Sequence, residues 1–213
     1  MRFHVPVLFI FLTLLSFPLL AQQPGAVRIW SRAEIREAFG DSLRYEGLPV
    51  YRVYEFQDKG GVYSVLFCEN NDHMEDKDTI NTKIRAVCLL NDHGGYLQKW
   101  VINEVLVQEP VIEKHLFFWN RYSSFTDLDG DGYADPVIAY SSVNENDEYQ
   151  RLKLIIVYKG KKYAVRAVEC ILDDCRQLRF DPAYKILPAA IRKHIDQLLQ
   201  RIRTEKEMIL QEG

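Results

Sequence analysis

The sequence lacks every short motif that usually announces catalysis. It holds no G-x-S-x-G elbow, no phosphate-binding glycine loop, no H-E-x-x-H pair and no C-x-x-C pair. Those absences remove the motif-based routes to acyl transfer, nucleotide handling, zinc proteolysis and dithiol chemistry. Basic clusters are missing too. The 27 Lys and Arg are scattered among 30 Asp and Glu for a net charge of −3, so neither a nucleic-acid groove nor an anionic membrane surface is implied.

Only one long hydrophobic run is present, and it stands at the start. Arg2 precedes an apolar stretch from Val5 to Leu20, and the small residue Ala21 is followed by Gln22 and Gln23. This is the pattern of a secretory signal peptide, 1–21, cleaved near Ala21. The stretch is short for a bilayer span and is interrupted by Pro6 and Pro18, so no membrane span is expected after cleavage. No cysteine ends it, which closes the lipoprotein route. Cleavage removes one base and no acid, leaving a mildly acidic chain destined for the periplasm or the exterior. Residues 22–30 then read as a linker and 31–213 as a single domain large enough for a real core.

Cysteine is scarce: Cys68, Cys88, Cys170 and Cys175. In an oxidising compartment, four cysteines allow three pairings. The hairpin-sized gap between Cys170 and Cys175, and the neighbouring strand-like runs that carry Cys68 and Cys88, favour 68–88 with 170–175. Buried free thiols are the alternative.

The mature chain is rich in strand-forming segments. "SRAEIREAFG" sets Ser31 three residues before Glu34 and ends on Gly40, a capping box and stop for a short helix over 31–39. "VYRVYEF", "GVYSVLFC", "KIRAVCLL", "YLQKWVINEVLV" and "KLIIVYKGKKYAVRAV" carry β-branched and aromatic residues with partial alternation, joined by short polar turns. "LPAAIRKHIDQLLQRIRTEKEMIL" places Ile191, Ile195, Leu198, Leu199 and Ile202 on one helical face. The expected fold is α+β, mainly β: an antiparallel meander with a short N-terminal helix and a longer C-terminal amphipathic helix packed on the sheet.

One stretch carries specific chemistry. In "DLDGDGYAD", Asp127, Asp129, Asp131 and Asp135 take positions one, three, five and nine, with Gly132 at six. Calcium wants six to eight hard oxygens at loose geometry, and alternate carboxylates around a glycine turn supply them, with the Tyr133 carbonyl as a further ligand. Zinc would ask for His or Cys, and magnesium for a more rigid octahedron. Position twelve is Ile138 and a strand-like run follows, so the loop is not an EF-hand. The expectation is Ca2+ in a structural role.

The loop resembles the D-x-D-x-D-G-x-x-D calcium loops of FG-GAP and VCBS-type β-propeller repeats, although only one copy is present here. A second resemblance spans about residues 51–202. The succession of "YEFQDKGGVYSVLFCEN", "SSFTDLDGDGYADPVIAY", "KLIIVYKGKKYAVRA" and a terminal helix is similar to small exported bacterial proteins labelled as a surface-polysaccharide biosynthesis family. That resemblance implies a pathway and no catalytic residue. Its expected partners are envelope polysaccharide or assembly proteins.

The remaining chemistry-bearing residues read as structural. His73 sits in an acidic loop with Asp72, Glu75, Asp76 and Asp78, more simply a solvated hairpin connection than a second cation site. His93 occupies a turn and His115 a surface strand. Glu104, Glu109 and Glu113 would be the acids of a carbohydrate-active hydrolase, the alternative function, which needs two carboxylates flanking a cleft. Trp100, Phe117, Phe118, Trp119 and Tyr122 would suit a sugar platform, but β domains bury aromatics anyway. The favoured reading is an exported, non-catalytic envelope protein, accessory to surface-polysaccharide biosynthesis.

Overall fold

The apolar runs "VLFC", "VIAY" and "LIIV" have no polar face, and each is a strand covered on both sides. A computed structural model describes residues 26–75, 78–146, 148–206 and 208–211. The expected signal peptide, 1–21, and residues 22–25 of the expected linker lie outside them. The strands are β1 (Arg28–Ile29), β2 (Arg44–Tyr45), β3 (Leu48–Asp58), β4 (Gly61–Glu69), β5 (His73–Glu75), β6 (Asp78–Ile80), β7 (Lys83–Asp92) and β8 (Gly95–Val105), followed by β9 (Glu113–Phe118), β10 (Val137–Asn144), β11 (Tyr149–Tyr158), β12 (Lys161–Cys170) and β13 (Gln177–Phe180). Two helices, α1 (Arg32–Phe39) and α2 (Ala189–Lys206), flank them.

The fold is mainly antiparallel β with two helices, as expected, but the meander divides into two large sheets and a separate two-stranded hairpin of β5 and β6. One large sheet runs β1-β3-β4-β7-β8 with β2 paired to β3, and the other runs β13-β12-β11-β10-β9. Residues 28 and 29, read as linker, form the edge strand β1 against Glu55 and Tyr54.

Alternation along each strand distributes side chains between layers. On β4, Val65 and Phe67 enter the core between the sheets while Leu66 and Cys68 turn towards Ile35 of α1. On β10, Ile138 and Tyr140 enter the same inter-sheet core, and Val137 and Ala139 meet α2. The order of layers is therefore α1, first sheet, second sheet, α2. The α2 stripe Ile191, Ile195, Leu198, Leu199 and Ile202 is buried against the second sheet. Ser31 caps α1 as its spacing predicts, accepting from the Glu34 N–H while the Glu34 carboxylate accepts from the Ser31 N–H.

Only one of the two favoured disulfides is formed. Cys170 and Cys175 are bonded, with Cα atoms 6.3 Å apart, whereas Cys68 and Cys88 are buried free thiols. Register explains the difference. On the paired strands β4 and β7, Cys88 lies opposite Val65 and Cys68 opposite Arg85, an odd offset that sends the two sulfurs to opposite faces of the sheet. Burial pushes both thiols up to about 12.

Candidate metal site

The aspartate loop connects the short turn at Asn120–Tyr122 to β10, and its two ends are clamped together. Ser124 and Val137 exchange backbone hydrogen bonds of 2.9 and 2.8 Å, and the Asp135 N–H donates to the Thr126 carbonyl at 2.8 Å. Phe125 anchors the entry, buried with its ring 4.7 Å from Tyr54 and 5.9 Å from Phe56. A loop pinned at its base has few conformations to lose when it closes on a ligand.

Within it, the carboxylates shape the backbone. Both oxygens of Asp127 accept N–H bonds of 2.7 Å, from Gly130 and from Gly132, and Asp129 accepts from the Asp131 N–H at 3.1 Å. Asp135 accepts from the Leu128 N–H at 2.9 Å. Gly130 and Gly132 adopt φ of 80° and 91°, a region open mainly to glycine. At Gly132 space adds to the requirement, because a β-carbon there would run into the Lys59 side chain.

The result is convergence of three carboxylates. One oxygen each of Asp127, Asp129 and Asp135 lies within 4.8 Å of the others, a spacing at which they could hold a metal ion together. All three are hard oxygen donors, which fits a divalent cation of the calcium or magnesium type and not a thiolate- or imidazole-seeking metal. Burial raises Asp135 to about 6, further pushed by Asp129 and Asp131 and opposed by the Leu128 N–H. A cation would reverse that direction, because it favours the ionised form.

Asp131 stands outside the convergent set of carboxylates. The Asp131 carboxylate accepts from the Tyr133 N–H at 2.9 Å and lies 3.5 Å from Lys159 Nζ. The Tyr133 side chain is half exposed, with Lys59 Nζ 6.0 Å from its ring.

Sequence reasoning missed the groups that reach the loop from the first sheet. The turn between β3 and β4 lies on it: the Lys59 N–H donates to the Gly132 carbonyl at 3.0 Å, and Lys59 Nζ donates to the Asp131 carbonyl at 2.5 Å. Asp58 accepts from the Ala134 N–H at 2.9 Å and from the Gly60 N–H at 2.6 Å. Nothing in "QDKGG" beyond its turn character signals this, because the contact spans more than seventy residues of chain.

The other candidates fall into structural roles. His73 lies on the exposed hairpin of β5 and β6 with Nδ1 3.1 Å from Asp72, and Glu75 is paired to Lys114 at 2.6 Å. Asp76 and the Asp78 side chain lie outside the described residues. His93 has φ of 47° in its turn, and His115 Nδ1 accepts from the Asn81 N–H at 3.0 Å.

Glu104 and Glu113 converge on Arg151. The guanidinium meets Glu113 at 2.6 and 2.8 Å and Glu104 at 3.0 Å, Lys153 meets Glu104 at 2.8 Å, and the hydroxyls of Tyr140 and Ser142 donate to Glu104 and Glu113 at 2.6 Å each. Burial would raise both acids, but these partners outweigh it and hold both below the usual carboxylate range. A glycosidase's general acid needs the opposite shift. Glu109 is exposed on the loop before β9.

The aromatics are likewise dispersed. Phe118 stacks on Phe67 at 4.1 Å between the sheets, while Trp119 and Tyr122 are buried with α2.

Comparison with protein-family models, with curated proteins and with solved structures finds no match to this chain. Among the described residues no helix is long and apolar enough to cross a membrane.

Proposed function

We propose that the chain is an exported, non-catalytic envelope protein whose aspartate loop binds Ca2+ as a structural ion, and that it acts as an accessory in surface-polysaccharide biosynthesis. The observation that carries the calcium reading is the convergence of Asp127, Asp129 and Asp135 in a loop pinned to the first sheet through Lys59 and Asp58. An ion held there ties the two sheets together at one end. That is a folding role. Export is supported by the apolar leader and by the Cys170–Cys175 bond, since disulfides persist in oxidising compartments. The pathway assignment rests on the resemblance of the strand, loop and hairpin segments given above.

Isothermal calorimetry with a chelated stock tests the ion: calcium should bind in the range of ~0.1 to 1 mM expected of extracellular modules. Absence of heat together with an unchanged melt on adding chelator would remove the calcium reading. Mass spectrometry of protein from its native compartment tests export. The expected mass lacks residues 1–21 and is two hydrogens below the reduced mature chain, and a full-length mass would end that part of the reading.

A further inference from the structure

Where the chain leaves the short turn at Asn120–Tyr122 for the aspartate loop, it lies against α2 and leaves a notch of about 220 Å³. The lining is rich in donors. Arg121 and Ser124 come from the turn side, while His194, Gln197 and Arg201 come from one face of α2 at spacings of three and four residues. Among the described residues no carboxylate lines it.

The charge of the notch is positive. Arg121 and Arg201 share a single carboxylate, that of Glu205, at 3.4 and 3.6 Å, and Glu205 also accepts from the Tyr122 hydroxyl at 2.8 Å. One carboxylate between two guanidiniums leaves one positive charge over. Arg201 is held in place, since it donates to the Arg121 carbonyl at 2.6 Å and its guanidinium lies 4.7 Å from the Tyr122 ring. A fork fixed before the ligand arrives loses little freedom on binding. Half-buried His194 is lowered by burial first and by Arg201 next, with no acid acting against them. At the floor, the Ser124 hydroxyl is enclosed and has no hydrogen-bond partner among the described residues, while its N–H and carbonyl are taken up by Val137. An enclosed hydroxyl without a partner is one place where an absent ion or water shows itself.

The donor set selects the shape of the anion. A planar carboxylate is filled by one guanidinium fork, whereas a tetrahedral phosphoryl group offers three oxygens in different directions and can take two forks and an imidazole together. We propose that this notch binds a phosphoryl group between Arg121 and Arg201, with His194 and Gln197 as further donors. The site shares no residue with the cluster of Asp127, Asp129 and Asp135, and it does not rest on calcium.

Two sources share this chemistry, a free phosphate and a phosphodiester within a larger molecule. The test titrates the full mature chain with inorganic phosphate and with dimethyl phosphate, beside acetate as the planar control, all at constant ionic strength. The His194 ring resonance, assigned through His194→Asn, reports binding. Chelator is present throughout, which keeps the aspartate loop empty and separates this result from the calcium titration. Expected is saturable movement with one or both phosphates, weakened about tenfold in Arg121→Gln, the loss of one charge-assisted contact. Arg121 has a side chain 76% exposed, so the Arg121→Gln melt without phosphate should match the parent, and the comparison does not depend on a damaged fold. The phosphate that binds identifies the source. Three results would overturn the assignment: no saturable movement up to about 10 mM of either phosphate, acetate binding as well as the phosphates, or undiminished binding in Arg121→Gln.

Discussion

Acidic side chains gather in two places, and the two gatherings are built on opposite terms. Around Arg151, Glu104 and Glu113 meet Arg151 and Lys153, with hydroxyls from Tyr140 and Ser142 and the Val107 N–H taking the remaining lone pairs. In the loop, Asp127, Asp129 and Asp135 meet one another and backbone N–H groups, and the ammonium contacts of Lys59 and Lys159 fall on Asp131, at its carbonyl and its carboxylate. The first cluster carries its own counter-charges. The second is shaped for a counter-charge from outside, and that contrast separates an internal tie from an ion site more reliably than the number of acids does.

The largest expected effect comes from breaking the self-contained cluster. Glu113 has a fully enclosed side chain, so Glu113→Ala leaves Arg151 with its closest partner gone and should cost about 3 to 5 kcal/mol. Chemical denaturation would measure it. The loss should be the same with calcium or chelator, and a calcium-dependent loss would mean that the two clusters are not separate.

Emptying the loop comes next. Calcium at a hundredfold excess over its dissociation constant should stabilise by about 2.7 kcal/mol, less at lower excess. Asp129→Asn should abolish the calcium-induced rise in melting temperature, and Asp41→Ala, an exposed acid beyond α1, should leave it intact. A rise that survives Asp129→Asn would place the ion elsewhere.

The two clusters should also respond to pH with opposite slopes. Glu104 and Glu113 sit below their ordinary range, so their contribution is present above the unfolded value and is lost as pH falls through the folded one. Asp135 sits near 6, above its unfolded value of about 3.9, so in chelator its contribution is present at low pH and is lost as pH rises to about 6. Calcium requires the ionised carboxylate, so the calcium-induced rise in melting temperature should shrink between pH 7 and pH 5. Melts over that range, with and without calcium, check the sign, and a rise that does not depend on pH would take Asp135 out of the ligand set.

The smallest effect belongs to Lys159, whose exposed ammonium faces Asp131. Lys159→Gln removes a competing positive charge and should tighten calcium binding by no more than about threefold, the scale of an exposed ion pair. A large change by calorimetry would mean that Lys159 occupies the ion's place in the empty loop.

Much of this was written locally in the chain. The Ser31–Glu34 cap, the stripe from Ile191 to Ile202, the short Cys170–Cys175 span and the spacing of the loop aspartates all depend on residues close in sequence, where period and turn chemistry can be read directly. What could not be read depends on register between distant strands. "VLFC" and "LIIV" look like continuous apolar runs because both faces are buried, so the pattern conceals which face meets which layer and does not reveal that there are two sheets. Cys68 and Cys88 are a case of this: the offset on paired strands that keeps their sulfurs apart exists only once β4 and β7 are aligned. Arg151 and Lys59 find their partners in the same non-local way, and no motif marks either residue.

The turn at Lys59 and Gly60 sets a protease site against the loop. Trypsin cleaves after lysine only when the surrounding backbone can leave its place and extend into the enzyme's cleft. Here the Lys59 and Gly60 N–H groups are both bonded, and the Lys59 ammonium is held by the Asp131 carbonyl. Digestion at this one bond therefore reports from the first sheet on the state of a loop that belongs to the second. An ion that tightens the loop lengthens the life of a peptide bond it never touches.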